Sequence, residues 1–189
     1  MEVAAICGSP RRSGNTATLV EALLDGAREN GAKTTRFDAA ALNIGDCDAD
    51  GACLTSAEAE CVLQDDMQEI YDALRRAEAW VFACPVYFWN VPASIKRVID
   101  RLYAFYTREG GWRLGLEGNR RGAVIVVQAD PDQETPTRVA DYLTTVLGDL
   151  RVEVIGRIAE GSLGDPGESA GRPDLLERAR QLGRDLAAV

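Results

Sequence analysis

VAAICGSPRRSGNTATLV, from Val3 to Val20, is the stretch of sequence that decides the fold. Its first five residues form a short apolar run, which predicts a buried β-strand. Its last residues begin a segment with apolar side chains at helical spacing, such as Leu19 and Leu23, and this pattern predicts an α-helix. A loop of small, hydroxyl-bearing and basic residues joins the two. Because the loop leads into a helix N-terminus, whose free N–H groups favour anions, the stretch predicts a phosphate-binding loop.

The residue types of this loop suit an anion. Gly8 and Gly14 allow the backbone to approach a ligand closely. The loop also offers hydroxyl, amide and guanidinium donors, on Ser9, Arg11, Arg12, Ser13, Asn15 and Thr16. An ordinary polar turn followed by a capped helix is the alternative interpretation of the same residues.

Three well-known phosphate loops are excluded by their spacing. A Walker A loop has four residues between its glycines and then a lysine, whereas five residues separate Gly8 from Gly14 here and Asn15 follows. The dinucleotide fingerprint G-x-G-x-x-G fails because a proline occupies its second glycine position. A phosphatase-type loop needs an arginine six residues after its cysteine, but Ser13 stands at that distance from Cys7 and supplies no bidentate clamp.

Composition narrows the possible functions. The chain has 189 residues, of which 46 % are apolar, so we expect a single domain over residues 1–189 with a full hydrophobic core. Its 30 acidic and 21 basic residues give a net charge of −9, which argues against nucleic acid or an anionic membrane as a partner. Neither a signal peptide nor an apolar run of about 20 residues is found, so we expect a cytoplasmic protein.

The chain contains no histidine. This excludes Ser-His-Asp and Cys-His mechanisms and any site that requires imidazole ligands. Chemistry must therefore come from a cofactor or from carboxylates, hydroxyls and thiols. The five cysteines, in a chain expected to be cytoplasmic, do not indicate a disulfide framework.

Strand and helix patterns alternate along the chain. Five strands are predicted, at Val3–Cys7, Lys33–Phe37, Trp80–Cys84, Gly122–Gln128 and Val152–Ile158. The first, third and fourth are apolar throughout, which is typical of a parallel sheet covered on both faces. The sequence therefore predicts an α/β fold with a doubly wound five-stranded parallel sheet, order 2-1-3-4-5, and helices on both faces. Residues 39–63 and 105–119 lack a clear period and are predicted to be irregular.

In such a sheet the loops after strands one, three and four meet at one edge. The loop at residues 85–90 reads P-V-Y-F-W-N and carries three successive aromatic residues. Aromatic rings beside backbone N–H groups and an amide suit a flat heteroaromatic ligand. The alternative is that Tyr87 and Phe88 pack under the loop while Trp89 faces a partner chain. The loop after the fourth strand reads Q-A-D-P-D-Q and adds Asp130 as a candidate binding residue.

Two motifs together resemble the NADPH-dependent FMN reductase family of flavodoxin-like proteins. They are G-S-P-R-R-S-G-N-T after the first strand and P-V-Y-F-W-N-V-P-A-S-I-K-R-V-I-D-R after the third, and the resemblance covers nearly the whole chain. It implies an FMN-binding domain whose phosphate site contains Ser9, Arg11, Ser13, Gly14, Asn15 and Thr16. It also implies that the ribityl chain and isoalloxazine ring lie along Pro85, Val86, Tyr87, Phe88, Trp89 and Asn90. The family position of Trp89 is commonly glycine, so a bulky ring there either narrows access to the flavin or changes what stacks on it.

The stretch from Cys47 to Met67 looks like the iron–sulfur flavoprotein branch of this family, which has four cysteines here. This chain has Asp50 where the second cysteine is expected, and keeps Cys47, Cys53 and Cys61. Because four-iron clusters are held by four thiolates as a rule, we expect no bound iron–sulfur cluster. Ligation by three thiolates and a carboxylate is the alternative.

The resemblance implies an enzyme in which FMN takes a hydride from NADH or NADPH and reduces a quinone, a free flavin or another small electron acceptor. No protein acid or base is required, which agrees with the absence of histidine. An FMN electron carrier for a protein redox partner is the alternative, and a flavin-bound scaffold or sensor is a third. A homodimer or homotetramer is expected, both from the family and from an excess of rings predicted to be exposed, on Tyr103, Phe105, Tyr106 and Trp112.

Overall fold

Parallel strand pairing organises the computed structural model, which describes residues 1–55, 61–108 and 111–188. In chain order its strands are β1 (Glu2–Cys7), β2 (Lys33–Asp38), β3 (Ala79–Pro85), β4 (Tyr106–Thr107), β5 (Arg113–Leu114), β6 (Arg120–Val127) and β7 (Val152–Glu160). Five of them form one parallel sheet in the order β2-β1-β3-β6-β7, while β4 and β5 make a separate antiparallel pair. The predicted order 2-1-3-4-5 is thereby confirmed.

Helices cover both faces of this sheet, as predicted. They are α1 (Asn15–Glu29), α2 (Met67–Arg76), α3 (Ala93–Arg101), α4 (Glu134–Asp149) and α5 (Pro173–Ala187). Helices α1 and α5 bury their apolar faces, including Leu23 and Leu175, against the side of the sheet that carries Val81. The other three helices pack on the side that carries Phe82. In the part of the chain that the structure describes, no helix is both long and apolar enough to cross a membrane.

Two glycines allow α1 and α5 to cross in backbone contact. A Cβ atom added to Gly26 in α1 would lie 1.9 Å from the carbonyl oxygen of Arg180, and one added to Gly183 in α5 would lie 1.8 Å from that of Leu23. Real Cβ atoms do not come that close to other atoms, so any side chain at either position would push the helices apart. The crossing therefore depends on glycine from both helices.

Helix α4 begins at Glu134, earlier than the start near Thr137 that periodicity predicts. The carboxylate of Asp132 accepts hydrogen bonds from the backbone N–H groups of Glu134 at 2.9 Å and Thr135 at 3.0 Å. These bonds satisfy N–H groups that have no partner within a helix, which extends the helix toward its N-terminus.

The stretch from 105 to 119 is more ordered than predicted, because β4 and β5 pair within it; residues 109–110 lie outside the described part. The prediction that Phe105 is exposed is wrong. Its side chain is 1 % exposed and packs edge-on against Tyr71, with ring centroids 5.5 Å apart. Tyr103 and Trp112 are exposed, as predicted.

Residues 39–63 were predicted to form a long loop, of which residues 56–60 lie outside the described part. The described portion contains two short 3₁₀ turns, Ala39–Ala41 and Ala52–Thr55, and is otherwise irregular. The prediction of a loop is confirmed for those residues.

Candidate functional site

A cavity of about 220 Å³ lies at the carboxyl edge of the sheet, beside the ends of β1, β3 and β6. It brings two predicted segments together. One is the loop before α1 together with the first turn of that helix, represented by Ser9, Arg11, Gly14, Asn15 and Thr16. The other is the segment at the end of β3, represented by Pro85, Val86 and Tyr87. These segments are more than sixty residues apart in the sequence, and the parallel order of β1 and β3 makes them neighbours.

Hydrogen bonds fix the loop between β1 and α1. The N–H of Gly8 donates to the backbone of β3 at 2.8 Å, and Ser94 in α3 donates its hydroxyl to the carbonyl of Gly8 at 2.7 Å. Further along, Ser9 Oγ accepts from the N–H of Arg11 at 3.2 Å, and the N–H of Gly14 donates to the carbonyl of Arg11 at 3.0 Å. A Cβ at Gly14 would lie 2.9 Å from that of Arg11, so the tight turn requires glycine. These internal hydrogen bonds define the shape of the loop.

The first turn of α1 contributes Asn15 and Thr16 to the cavity lining. The N–H groups of a first helical turn have no partner within the helix, and the dipole makes this end positive. Arg11 is exposed at the same edge and adds a full positive charge. Ser13 lies outside this lining and, with Arg12, borders a neighbouring groove instead. The geometry therefore suits an anion at the start of α1.

The side chain of Asn15 bonds to the protein itself, although an amide in a phosphate loop suggests a direct contact with the ligand. Its side-chain N–H groups donate to the carbonyl oxygens of Leu163 at 3.0 Å and Asp165 at 2.8 Å. Its side-chain oxygen accepts from the N–H of Ser169 at 3.0 Å, and the residue is only 7 % exposed. The amide is thus engaged in tying the loop before α1 to the loop after β7, and only its backbone N–H is left to meet an anion.

The loop after β3 makes a tight two-residue turn. Tyr87 and Asn90 exchange two backbone hydrogen bonds, at 2.8 and 3.1 Å, and Phe88 and Trp89 occupy the turn between them. Asn90 uses its side-chain oxygen to accept from the N–H of Val91 at 2.8 Å. Phe88, Trp89 and Asn90 are not part of the cavity lining, whereas Tyr87 is. Packing of the rings under the loop, the alternative interpretation for Tyr87 and Phe88, is excluded by their exposures of 48 % and 90 %.

The loop after β6 contributes Gln128 and Ala129 to the lining rather than the predicted Asp130. Asp130 is exposed, and its carboxylate accepts from the N–H of Asp132 at 2.8 Å. Gln128 is buried and donates its side-chain amide to the carbonyl of Asp132 at 2.6 Å. A polar residue at the end of an apolar strand was the signal that could have identified Gln128.

The loop after β7 supplies two lining residues that sequence reasoning missed, Leu163 and Gly164. A Cβ at Gly164 would lie 3.3 Å from that of Ala129, so the two loops approach closely here. The predicted strand order places β7 beside β6, and this was the signal that could have indicated that the loop after β7 borders the cavity. The loop itself has no distinctive motif.

Ionisable groups are scarce in the site. Among the described residues, the lining carries them only on Arg11 and Tyr87. Cys7 and Cys84 end β1 and β3 but are buried, and burial raises the pKa of both thiols. They are neutral core residues at neutral pH. The site can bind and orient a ligand, while its chemistry needs a cofactor.

Comparison with known proteins agrees with this geometry. Residues 1–160 match the model of the family described as NADPH-dependent FMN reductase. The chain belongs to the NADPH-dependent FMN reductase family. An iron–sulfur flavoprotein of Archaeoglobus fulgidus is 33 % identical over 187 residues, which cover 99 % of this chain and 79 % of that protein.

Two further proteins extend the comparison. An iron–sulfur flavoprotein of Methanocaldococcus jannaschii is 28 % identical over 196 aligned residues, covering 100 % of this chain and 97 % of that protein. Among solved structures, the NAD(P)H:quinone oxidoreductase of Methanothermobacter marburgensis superposes with a TM-score of 0.72 at 25 % identity, covering 98 % of each chain. The flavodoxin-like fold is thus confirmed.

The cysteine loop, which begins at Cys47, borders a second cavity. Cys47, Asp50, Cys53 and Cys61 all line this cavity, of about 280 Å³. Burial, and then the neighbouring groups Cys61, Asp50 and Cys47, raise the pKa of the Cys53 thiol. Within residues 1–55, 61–108 and 111–188, no three Cys, Asp or Glu side chains are placed to hold a metal ion. These residues do not fit a cluster held by four thiolates.

Beside this cavity lies a buried ion pair. Arg101 is 1 % exposed and donates to the carboxylate of Asp65 at 2.8 Å and to the carbonyl of Gly45 at 3.0 Å. Burial alone would raise the pKa of Asp65, but hydrogen bonds from Arg101 and from the N–H groups of Gly45 and Met67 lower it below its ordinary value. The pair fixes the start of α2 against α3 and so anchors the cysteine loop at one end.

Proposed function

We propose that this protein binds FMN at the carboxyl edge of its sheet and uses NADH or NADPH to reduce a quinone, a free flavin or another small acceptor. The observation that carries the proposal is that an anion-binding helix N-terminus and an aromatic loop meet at one cavity. The family supports FMN, and the likeness to an NAD(P)H:quinone oxidoreductase supports the class of acceptor. When bound, FMN carries the redox chemistry, taking a hydride from the nicotinamide and passing electrons to the acceptor.

The phosphate end of the ligand is assigned to the loop before α1. Ser9 and Thr16 contribute hydroxyl groups, and Arg11 contributes positive charge at the edge of the cavity. The first-turn N–H groups of α1 complete the anion site. The remaining residues of the predicted phosphate site are Ser13, Gly14 and Asn15. They contribute through their backbone or by positioning the loop, and not through their side chains.

The ring end is assigned to residues 85–90. The N–H groups of Val86, Tyr87 and Asn90 already donate within the protein, which leaves those of Phe88 and Trp89 to stabilise negative charge that develops on a bound ring. Pro85 and Val86 provide an apolar wall that excludes water. Asp130 is assigned a supporting role at the outer edge, since its carbonyl oxygen accepts from the N–H of Ser162 at 3.0 Å.

An FMN electron carrier is the second candidate function. It is favoured by the names of the relatives, which are iron–sulfur flavoproteins, and by the net charge of −9, which suits docking to a basic redox partner. The two functions differ in whether the site admits a nicotinamide.

One air-free experiment distinguishes the functions. The purified protein, loaded with FMN, is mixed with NADPH or NADH and the flavin absorbance is followed, with menadione added in a second mix. We expect the nucleotide to bleach the flavin rapidly and menadione to restore its absorbance. Reduction by dithionite or a partner protein but not by either nucleotide would establish the carrier instead. A protein that binds no FMN would contradict both functions.

We also propose a homodimer or homotetramer. Tyr103 and Trp112 are 44 % and 55 % exposed, and their ring centroids lie 6.0 Å apart on one surface. Exposure of adjacent aromatic rings to solvent is unfavourable, so we expect a second copy of the chain to cover these rings. Sedimentation of the wild type and of Trp112→Ser tests this, because the variant should shift the equilibrium toward monomer.

A further inference from the structure

The aromatic turn at Tyr87–Asn90 has an unusual backbone for its residues. Phe88 has φ of +49° and Trp89 has φ of +62°, so both lie in the left-handed region. The N–H of Asn90 donates to the carbonyl of Tyr87 at 3.1 Å, which closes a four-residue turn. Two central residues with positive φ make this a type I′ turn, for which Asn-Gly is the preferred pair. Bulky aromatic residues in this conformation are strained.

The strain is not explained by the turn itself. The bonds that close the turn join backbone atoms of Tyr87 and Asn90, and an Asn-Gly pair at the centre would allow them equally well. Asn90 fixes the end of the turn, because its side-chain oxygen accepts a hydrogen bond from the backbone N–H of Val91. The identity of Phe88 and Trp89 therefore serves something other than the local fold.

Core packing does not explain the two side chains either. Phe88 is 90 % exposed and Trp89 is 62 % exposed. Their rings pack edge-to-face on each other, with centroids 4.8 Å apart and planes 71° apart. Retained strain together with exposed apolar surface is typical of functional sites, where a ligand supplies the missing contacts.

The position of the turn identifies the ligand class. Tyr87 lines the cavity and adjoins the turn, whereas Phe88 and Trp89 are not part of the lining. Their backbone N–H groups are those assigned to the bound FMN ring, and their side chains remain free to contact a second molecule beside it. Edge-to-face rings present one flat face and one edge, and planar rings pack favourably against both.

We propose that Phe88 and Trp89 form an aromatic contact site for the acceptor, and that Trp89 is a specificity-determining residue that favours planar aromatic acceptors over non-aromatic ones. This rests on the proposed function, because the acceptor must reach the same cavity edge. Hydride and electron transfer are unchanged by this contact; it acts by holding the ring of the acceptor. On this proposal, the contact with the acceptor is the reason why two aromatic residues occupy backbone positions with positive φ.

The kinetic test compares two acceptors and three variants. Menadione is the planar aromatic probe and ferricyanide the non-aromatic one. Trp89→Leu removes the ring but keeps an apolar side chain, whereas Trp89→Phe keeps a ring. For Trp89→Leu we expect the ratio of kcat/KM for menadione to that for ferricyanide to fall about fivefold, the usual worth of an aromatic contact. Trp89→Phe should keep most of the ratio, and Trp112→Phe, remote in sequence, should keep all of it.

A second measurement does not depend on turnover. Oxidised protein without a nucleotide is titrated with menadione while tryptophan fluorescence is followed. Trp80 is fully buried, so Trp89 and Trp112 are the exposed emitters. We expect saturable quenching in the wild type and in Trp112→Phe, and loss of the saturable phase in Trp89→Leu. Trp89→Gly should melt a few degrees higher than the wild type, since glycine adopts positive φ without strain.

The contradicting outcomes are distinct. Equal losses for both acceptors in Trp89→Leu, or quenching that persists in it, would overturn the acceptor contact while leaving the FMN function intact. A dimer that dissociates on Trp89→Leu would show that a second copy covers the ring, and would also overturn the proposal. Failure of the wild-type flavin to be reduced by either nucleotide would instead contradict the enzyme function.

Discussion

The side-chain oxygen of Asn15 accepts a hydrogen bond of 3.0 Å from the backbone N–H of Ser169, 154 residues further along the chain. The same amide donates to the carbonyl oxygens of Leu163 and Asp165. Asn15 therefore serves as a positioning residue between two loops of the site. Its side chain orients the first turn of α1, whose N–H groups are the ones proposed to meet the phosphate of FMN.

Replacement of Asn15 by alanine should reduce both stability and FMN retention. Three hydrogen bonds are lost at a buried position, and their backbone partners are left unsatisfied, which should cost about 2–3 kcal/mol. Urea unfolding of the protein without FMN measures the first effect, and titration with FMN measures the second.

Thr16→Val is the matched control. It removes the hydroxyl of a cavity-lining residue without changing side-chain shape, so we expect weaker FMN binding with little loss of stability. If Asn15→Ala weakened FMN binding without any loss of stability, Asn15 would contact the phosphate directly and the positioning role would be wrong.

A fourth cysteine at position 50 should change what the second cavity binds. Asp50 lines that cavity together with Cys47, Cys53 and Cys61. We expect the wild type, purified without air, to show flavin absorbance and little iron or sulfide. Asp50→Cys supplies a fourth thiol and should raise the iron content on reconstitution with iron and sulfide.

The control for this change is Asp48→Cys, which adds a thiol at the same loop in a different position. It should not raise the iron content. A full complement of four iron atoms per chain in the wild type would show that three thiolates and a carboxylate suffice, contrary to the expectation.

Asp65→Asn should be strongly destabilising at neutral pH. It leaves the buried guanidinium of Arg101 without its carboxylate, and breaking a buried ion pair from one side costs about 3–5 kcal/mol. The free energy of unfolding in urea at pH 7 measures this loss. Asp72→Asn, on the exposed side of α2, is the control and should change little.

The same pair predicts a pH dependence. The pKa of Asp65 is lower in the folded than in the unfolded state, chiefly because the hydrogen bonds from Arg101 and two backbone N–H groups outweigh the effect of burial. Its stabilisation is therefore fully present above the ordinary pKa of about 4 and is lost as the pH falls from there through the lower folded value. The stability difference between wild type and Asp65→Asn should narrow below pH 4; a constant difference would contradict the assignment.

Gly183→Ala should destabilise the fold although the change is only one methyl group. The added Cβ would lie 1.8 Å from the carbonyl oxygen of Leu23, so α1 and α5 must separate, at a cost of about 1–3 kcal/mol or more. Gly148→Ala is the opposite case, since no atom lies within 4 Å of its Cβ position near the end of α4. That variant should be more stable by about 0.5–1 kcal/mol. The melting temperatures of both variants and the wild type, measured without FMN, test these two predictions.

The sequence predicted those features that depend on local pattern. Apolar runs located the strands, and their alternation with helices gave the correct order, because parallel pairing needs strands buried on both faces. The position of the polar, glycine-containing loop between β1 and α1, which lines the cavity, also followed from local pattern.

Features that depend on distant contacts were not predictable. The role of Asn15 is set by carbonyl oxygens about 150 residues away, and no local signal reports them. Phe105 looked like an exposed ring, yet it is buried against Tyr71 from α2. Residue type favours the carboxylate of Asp130 as a binding group, whereas the cavity lining takes Gln128 from the same loop, and residue type does not report which side chain the strand end turns inward.

The dependence of Asn15 on residues 163–169 has a consequence for biosynthesis. Asn15 leaves the ribosome long before its partners, and at typical elongation rates of about 5–20 residues per second the delay is about 8–30 s. During that time the start of α1 lacks both the loop after β7 and the glycine crossing with α5. These contacts at the start of α1 therefore cannot be completed until residues 163–183 have been synthesised, and the proposed anion site would be finished only then.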